Sequence, residues 1–186
     1  MKTKVIDFPG AIMEKNLCIK AGATFNAPDM VRCEAVYLER GATFNAPKLI
    51  RCLNVNILGR NVTVNVPALL STWPGVETLT DEELMEERKK LPKYLNDMTD
   101  ADKMASAILC VVGDRRYKTA IDEYNAKVIE TTGINHGDLV TVMTTGLFGL
   151  SAGEAEGKVC YNREGRLVAR FKGYGQRNIH KGMRRI

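Results

Sequence analysis

Gly22-Ala23-Thr24-Phe25-Asn26-Ala27-Pro28 returns unchanged as Gly41-Ala42-Thr43-Phe44-Asn45-Ala46-Pro47, a shift of 19 residues. The match continues past the heptapeptide: Met30 aligns with Leu49, Arg32 with Arg51, Cys33 with Cys52, Val36 with Val55 and Leu38 with Ile57. A degraded third copy, Val62-Thr63-Val64-Asn65-Val66-Pro67-Ala68-Leu69, follows at a shift of 20. Upstream, Pro9, Leu17 and Ile19 fall where a partial first copy places them. Identity sustained at a fixed period marks a repeat architecture, in which one unit cannot bury its own apolar face and stacked neighbours do so together.

The period is too short for paired helices, and each copy holds two apolar alternations, Val36 with Leu38 and Ala42 with Phe44. Two short strands joined by turns are therefore expected per copy. Pro28, Pro47 and Pro67 oppose helix at the same phase. The array reads as a β-solenoid of about three 19–20-residue coils, with equivalent residues about 4.8 Å apart. Phe25, Phe44 and Val64 then form one inward ladder; Met30 with Leu49 and Leu69, Cys33 with Cys52, Val36 with Val55, and Leu38 with Ile57 form others. Cys33 and Cys52 read as small core residues rather than metal or redox ligands. Thr24, Thr43 and Thr63 face outward. Asn26, Asn45 and Asn65 precede the proline turns, where side-chain amides can satisfy backbone groups. Arg32 and Arg51 stack as like charges, an arrangement that favours solvation or an anionic partner. Trp73 follows the last copy and is expected to cover it, since an uncapped coil exposes strand edges that also invite homodimer formation.

The pattern L/M-x-x-C-x-x-V-x-L followed by GATFNAP resembles the short, proline-marked leucine-rich repeats of bacterial and bacteriophage proteins, over about residues 9–71. Cysteine and valine stand where leucine is usual, and no helical segment accompanies each copy. The resemblance implies a non-enzymatic protein that binds other macromolecules. It further implies a bacteriophage or mobile-element accessory role, in which the protein inhibits a host factor by occupying its binding surface in the host cell cytoplasm.

The fold class expected is α+β: a repeat domain at 1–75, then an α+β domain at 76–186 with a basic C-terminal end. Thr80-Asp81-Glu82-Glu83 is a capping box ahead of Leu84, Leu91 and Leu95, predicting a helix of about 14 residues. Thr99, Asp100 and Asp102 open a second helix that Gly113 is expected to end, and a third runs from about Arg116 to Thr131 with Gly133 beyond it. The period then changes to two at Asp138–Met143, and Lys158–Tyr161 and Arg166–Phe171 flank a hairpin loop at Asn162-Arg163-Glu164-Gly165. Leu167, Ala169 and Phe171 are expected to face the helices, leaving Arg166, Val168 and Arg170 on a basic face.

The chain has 186 residues, 45% of them apolar, and a formal charge of +5. Residues 1–71 carry 9 basic and 5 acidic groups, 72–149 carry 9 and 14, and 150–186 carry 9 and 3. There is no apolar run of signal-peptide or membrane-spanning length. The five cysteines, Cys18, Cys33, Cys52, Cys110 and Cys160, form no CxxC pair. A soluble, cytoplasmic protein with reduced thiols and no membrane partner is expected.

Tests for chemistry lead away from catalysis. Gly153-Glu154-Ala155-Glu156-Gly157-Lys158-Val159 has neither the spacing of a phosphate loop nor its Ser/Thr, and its two glutamates repel phosphate. It reads as a flexible linker or loop. Two histidines, His136 in a turn and His180 in the tail, do not compose a metal site. No nucleophile elbow, paired-carboxylate motif or dinucleotide fingerprint is present, so no catalytic residue, metal or cofactor is expected. The partner-binding candidates are Arg32 and Arg51 on the solenoid, with Arg166, Arg170, Lys172, Tyr174, Arg177, Lys181, Arg184 and Arg185 at the C-terminal end. A protein partner is the leading expectation. Nucleic acid is the alternative, because basic residues interleaved with Phe171 and Tyr174 can neutralise phosphates while stacking bases.

Overall fold

Each repeat supplies one short strand after its glycine turn and one longer strand after its proline turn. In the computed structural model, which describes residues 4–13, 15–144 and 153–186, these are β1 (Val5–Asp7), β2 (Ile12–Met13), β3 (Leu17–Ile19), β4 (Thr24–Asn26), β5 (Arg32–Leu38), β6 (Thr43–Asn45), β7 (Arg51–Ile57) and β8 (Thr63–Asn65). Strands β1, β4, β6 and β8 pair in parallel as one sheet, while β5 pairs with β2, β3 and β7 in a second. The register is that of the repeat. Phe25, Phe44 and Val64 are partners across the first sheet, and Arg32 with Arg51, Cys33 with Cys52, Val36 with Val55 and Leu38 with Ile57 across the second. Leu17 and Ile19 pair with Val36 and Leu38, so the partial first copy is a coil in the structure. The result is a β-solenoid of about three turns.

The ladder positions are closed to solvent because each coil can bury its apolar face only against the next. Met30, Cys33, Val36, Leu38, Phe44, Leu49, Cys52 and Leu69 are all 0% exposed. The proline turns close through Met30 N–H to Ala27 O at 3.2 Å and Leu49 N–H to Ala46 O at 3.1 Å. Gly22 and Gly41 both take φ +69°, and Asn61 takes the same left-handed position in the degraded copy at φ 59°. Asparagine is among the few residues that tolerate it. The asparagine ladder differs from expectation: Asn65 Nδ2 donates to Asn45 Oδ1 at 2.7 Å and Asn26 Nδ2 to Asp7 Oδ1 at 3.0 Å. Polar side chains in register on adjacent strands bond to one another.

At Pro67 the third copy departs from the repeat. Instead of a turn, Pro67–Ser71 forms a short helix, α1, with Pro in its first turn and Leu69 and Leu70 buried. Trp73 packs, partly buried, against the same core. Helix α2 (Asp81–Lys90) opens on the expected capping box, but is shorter than expected: Pro92 disfavours helical geometry at Leu91. Leu95 falls in a separate single turn and is 50% exposed. The long helix α3 (Asp100–Thr132) replaces the two helices expected on either side of Gly113. Glycine only weakens a helix, and here its bare Cα accommodates a neighbour. A Cβ at Gly113 would stand 3.3 Å from Arg88 Nη2, and that nitrogen donates to Leu109 O at 3.1 Å.

Helix α3 also closes the end of the solenoid. Arg115 donates from Nε and Nη2 to Val64 O on the terminal strand β8, at 3.3 and 3.0 Å, and pairs with Glu77 at 3.0 Å. Arg116 donates to Asp81 at 2.9 Å, to Glu77 O at 3.0 Å and to Leu79 O. Ala107, Ile108, Leu109, Val111 and Val112 join the solenoid core. The chain divides into two compact units, Met1–Tyr117 and Lys118–Ile186, with α3 running from one into the other.

In the second unit Gly133, at φ +67°, ends α3, its N–H donating to Ile129 O at 2.7 Å. Strands β9 (Leu139–Thr144), β10 (Gly153–Tyr161), β11 (Leu167–Phe171), β12 (Gly175–Asn178) and β13 (Arg184–Arg185) form an antiparallel sheet in the order β12-β11-β10-β9-β13. The stretch Gly153–Val159, expected as a loop, lies in β10. Gly157 is there because a Cβ would meet the Phe171 ring at 2.6 Å. The hairpin forms as expected, with Tyr161 opposite Leu167 and Gly165 at φ +83°. Asn125 clamps it, donating to Gly165 O at 2.9 Å and accepting from Leu167 N–H at 2.8 Å. Among the described residues no helix is long and apolar enough to cross a membrane.

Candidate functional site

Residues directly opposite in an antiparallel sheet share a face, so the register sorts the C-terminal basic residues. Lys158 lies opposite Arg170, which lies opposite Gln176. Glu156 lies opposite Thr141, which lies opposite Arg184, and Glu154 opposite Met143. That face therefore carries both cations and carboxylates. Arg177, opposite Ala169, and Arg185, opposite Val140, belong to the other face. Arg185 lies 3.8 Å from Asp138. Arg166 sits at the hairpin mouth, over the Tyr124 ring at 5.4 Å. Lys172 is exposed after β11, Lys181 is exposed in a turn, and Tyr174 is half-buried against the core. Val168, expected among the arginines of an open face, is 1% exposed.

Arg32 and Arg51 do stack in register. The like charges are not left to face each other alone: Arg51 pairs with Asp100 at 2.5 Å, at the start of α3. Arg32 is exposed and makes no ion pair among the described residues.

A third surface was missed in the sequence. An open groove of about 570 Å³ is lined by Asn54, Val55 and Asn56 of β7, by Arg88 and Lys89 of α2, by Leu91, Pro92 and Lys93 after it, and by Met98, Ser106 and Cys110. The capping box sets the start of α2 and Pro92 its end, which brings the basic last turn beside the final coil. Arg88 is held by Leu109 O, and Lys89 donates to Glu86 at 2.6 Å. The Lys93 ammonium lies 5.6 Å from the Tyr94 ring centroid. Burial pushes the Cys110 thiol above its ordinary range, against the opposing pull of Arg88. That Arg88 and Lys89 share a groove with β7 depends on segments distant in the chain.

No ligand-bearing cluster competes with these surfaces: among the described residues no group of three or more His, Cys, Asp or Glu side chains is placed to hold a metal ion. The fold and its surfaces define a β-solenoid protein of mixed α+β class with a groove lined in part by basic residues. Comparisons with models of known families, with characterised proteins and with solved structures find no match to this chain.

Proposed function

We propose that this chain is a non-catalytic macromolecule-binding protein, with the solenoid as a rigid platform and a protein partner seated in the groove beside β7. The observation that carries this reading is the convergence of Arg88, Lys89 and Lys93 with the outer edge of β7, in a lining that contains no carboxylate. Cations gathered on one wall steer an acidic surface toward it and fix its register. Inhibition of a host factor by occupying its binding surface, in a bacteriophage or mobile-element setting, is the form of this activity that the leucine-rich-repeat resemblance supports. The immobilised protein is expected to retain a defined protein from cell extract and to release it with salt. Turnover in a broad hydrolase and transferase screen, abolished by a point substitution, would refute the reading.

A second reading, nucleic-acid binding, is favoured by the cross-strand neighbours Lys158 and Arg170, both exposed. Glu154 and Glu156, further along β10 on the same face, count against it. Retention of labelled DNA and RNA at two salt concentrations separates the two readings, since phosphate neutralisation gives a steep salt dependence.

A further inference from the structure

We infer that the groove is a strand-addition site for an extended, acidic segment of the partner protein. The inference rests on the binding reading above and names the chemistry of what is bound.

The backbone supplies the first reason. Strand β7 pairs with β5 alone among the described residues. In a solenoid the next coil would lay another strand on its outer edge, about 4.8 Å away. Here the chain turns into α1 at Pro67 and never supplies that rung. The groove lies along the segment left open, Asn54-Val55-Asn56. An extended chain is the shape that can use an open edge, through main-chain hydrogen bonds. The Asn54 and Asn56 side chains, which make no hydrogen bond to a described residue, offer further donors and acceptors beside it.

The side chains supply the second reason. A strand presents alternate residues to opposite sides, and the groove offers two kinds of surface. Leu91, Pro92 and Met98, all part-exposed, form apolar ground, while Lys89 and Lys93 are exposed cations. Lys89 is committed only to Glu86, itself exposed, within the same helix. A bound carboxylate exchanges that weak surface pair for a more sheltered one. No aromatic side chain lines the groove, so it lacks the platform on which single-stranded nucleic acid stacks its bases. The segment expected therefore alternates acidic and apolar residues.

Fluorescence anisotropy on the full chain tests this with a labelled octapeptide alternating aspartate and valine, a counterpart with lysine for aspartate, and a short oligothymidylate. The acidic peptide is expected to bind and the lysine peptide not. Reversing both charges, Lys89→Glu with Lys93→Glu, is expected to weaken the acidic peptide about tenfold, and N-methylation of alternate peptide amides to weaken it similarly. Both lysines are exposed, so an unchanged far-UV circular dichroism spectrum is expected; Lys89→Gln with Lys93→Gln should give a smaller loss in the same direction. Equal binding of the two peptides, tighter binding of the oligothymidylate, or no effect of the charge reversal overturns the assignment. If the wild-type and charge-reversed chains retain the same protein from extract equally, the groove assignment falls and the binding reading stands. If neither retains any protein, both fall.

Discussion

Replacing Phe44 with alanine removes a ring that is 0% exposed and lies between two neighbours in the inward ladder, Phe25 at 6.3 Å between centroids and Val64 on the next rung. Both the transfer of the ring and the cavity it leaves count against the folded state, for a cost of about 3–5 kcal/mol. The adjoining rungs are packed coil on coil, so the site can collapse only by shifting strands whose register is set elsewhere. Whole domains are stable by about 5–15 kcal/mol, so the loss is a large share of the total. At a urea dependence of about 2 kcal/mol per molar, the midpoint of the first unit should fall by about 2 M. The control is the adjacent Thr43, whose side chain points out of the coil; Thr43→Ala should stay within about 0.5 kcal/mol. Urea titration followed by circular dichroism measures the difference, and amide hydrogen exchange in β4, β6 and β8 localises it. A loss below about 1 kcal/mol for Phe44→Ala, or an equal loss for Thr43→Ala, would refute the inward-ladder account. The harsher pair should separate further, Phe44→Asp unfolding the first unit while Thr43→Asp is tolerated.

Gly59 has no room for a side chain: a Cβ there would lie 2.3 Å from the backbone nitrogen of Arg40 on the neighbouring coil. Gly59→Ala should cost about 1–3 kcal/mol in urea unfolding, and a neutral result would mean the coils are not stacked as described. Asp102 accepts hydrogen bonds from the Thr99 side chain and amide, which hold its carboxyl below the ordinary aspartate range. A depressed folded value means this contribution is full above the unfolded value and lost as pH falls through the folded one. The acid limb of a melting-temperature profile should therefore flatten in Asp102→Asn, with no change expected in the alkaline limb. In the second unit, Asn125→Ala strips the partners from Gly165 O and Leu167 N–H at once; a loss of about 1–3 kcal/mol is expected in thermal unfolding. For the thiols, the hydrogen bond with Cys52 and burial push the Cys33 thiol up. An aromatic disulfide reagent should accordingly label exposed Cys18 quickly and leave Cys33 and Cys52 unlabelled until urea is added, as peptide mapping would show.

The solenoid was legible because every coil repeats one local instruction. A phenylalanine three places after a left-handed glycine faces the same interior each time, and the 19-residue shift alone dictates which residues become neighbours. The hairpin and the start of α2 were legible for a related reason: their signals, a turn glycine and a capping box, act within a few residues of themselves. Local signals were less informative about where helices stop. Gly113 reads as a terminator in isolation, yet packing against Arg88 keeps it inside α3.

The candidate sites followed the same division. Net charge along the chain located a basic C-terminal end, but only the strand register shows that its arginines divide between two sheet faces and share one of them with Glu154 and Glu156. Equivalent charge at Arg88, Lys89 and Lys93 carries no site signal in the sequence, and only the tertiary structure brings these residues together with β7 and α3 around one groove. By itself the sequence determined the coil, its period and its inward ladders, since these depend on contacts between residues one repeat apart. Tertiary structure alone decided how the solenoid is capped, which edge stays open and which charges meet. Those outcomes rest on contacts such as Arg51 with Asp100 and Arg115 with Val64, between segments that no periodicity relates.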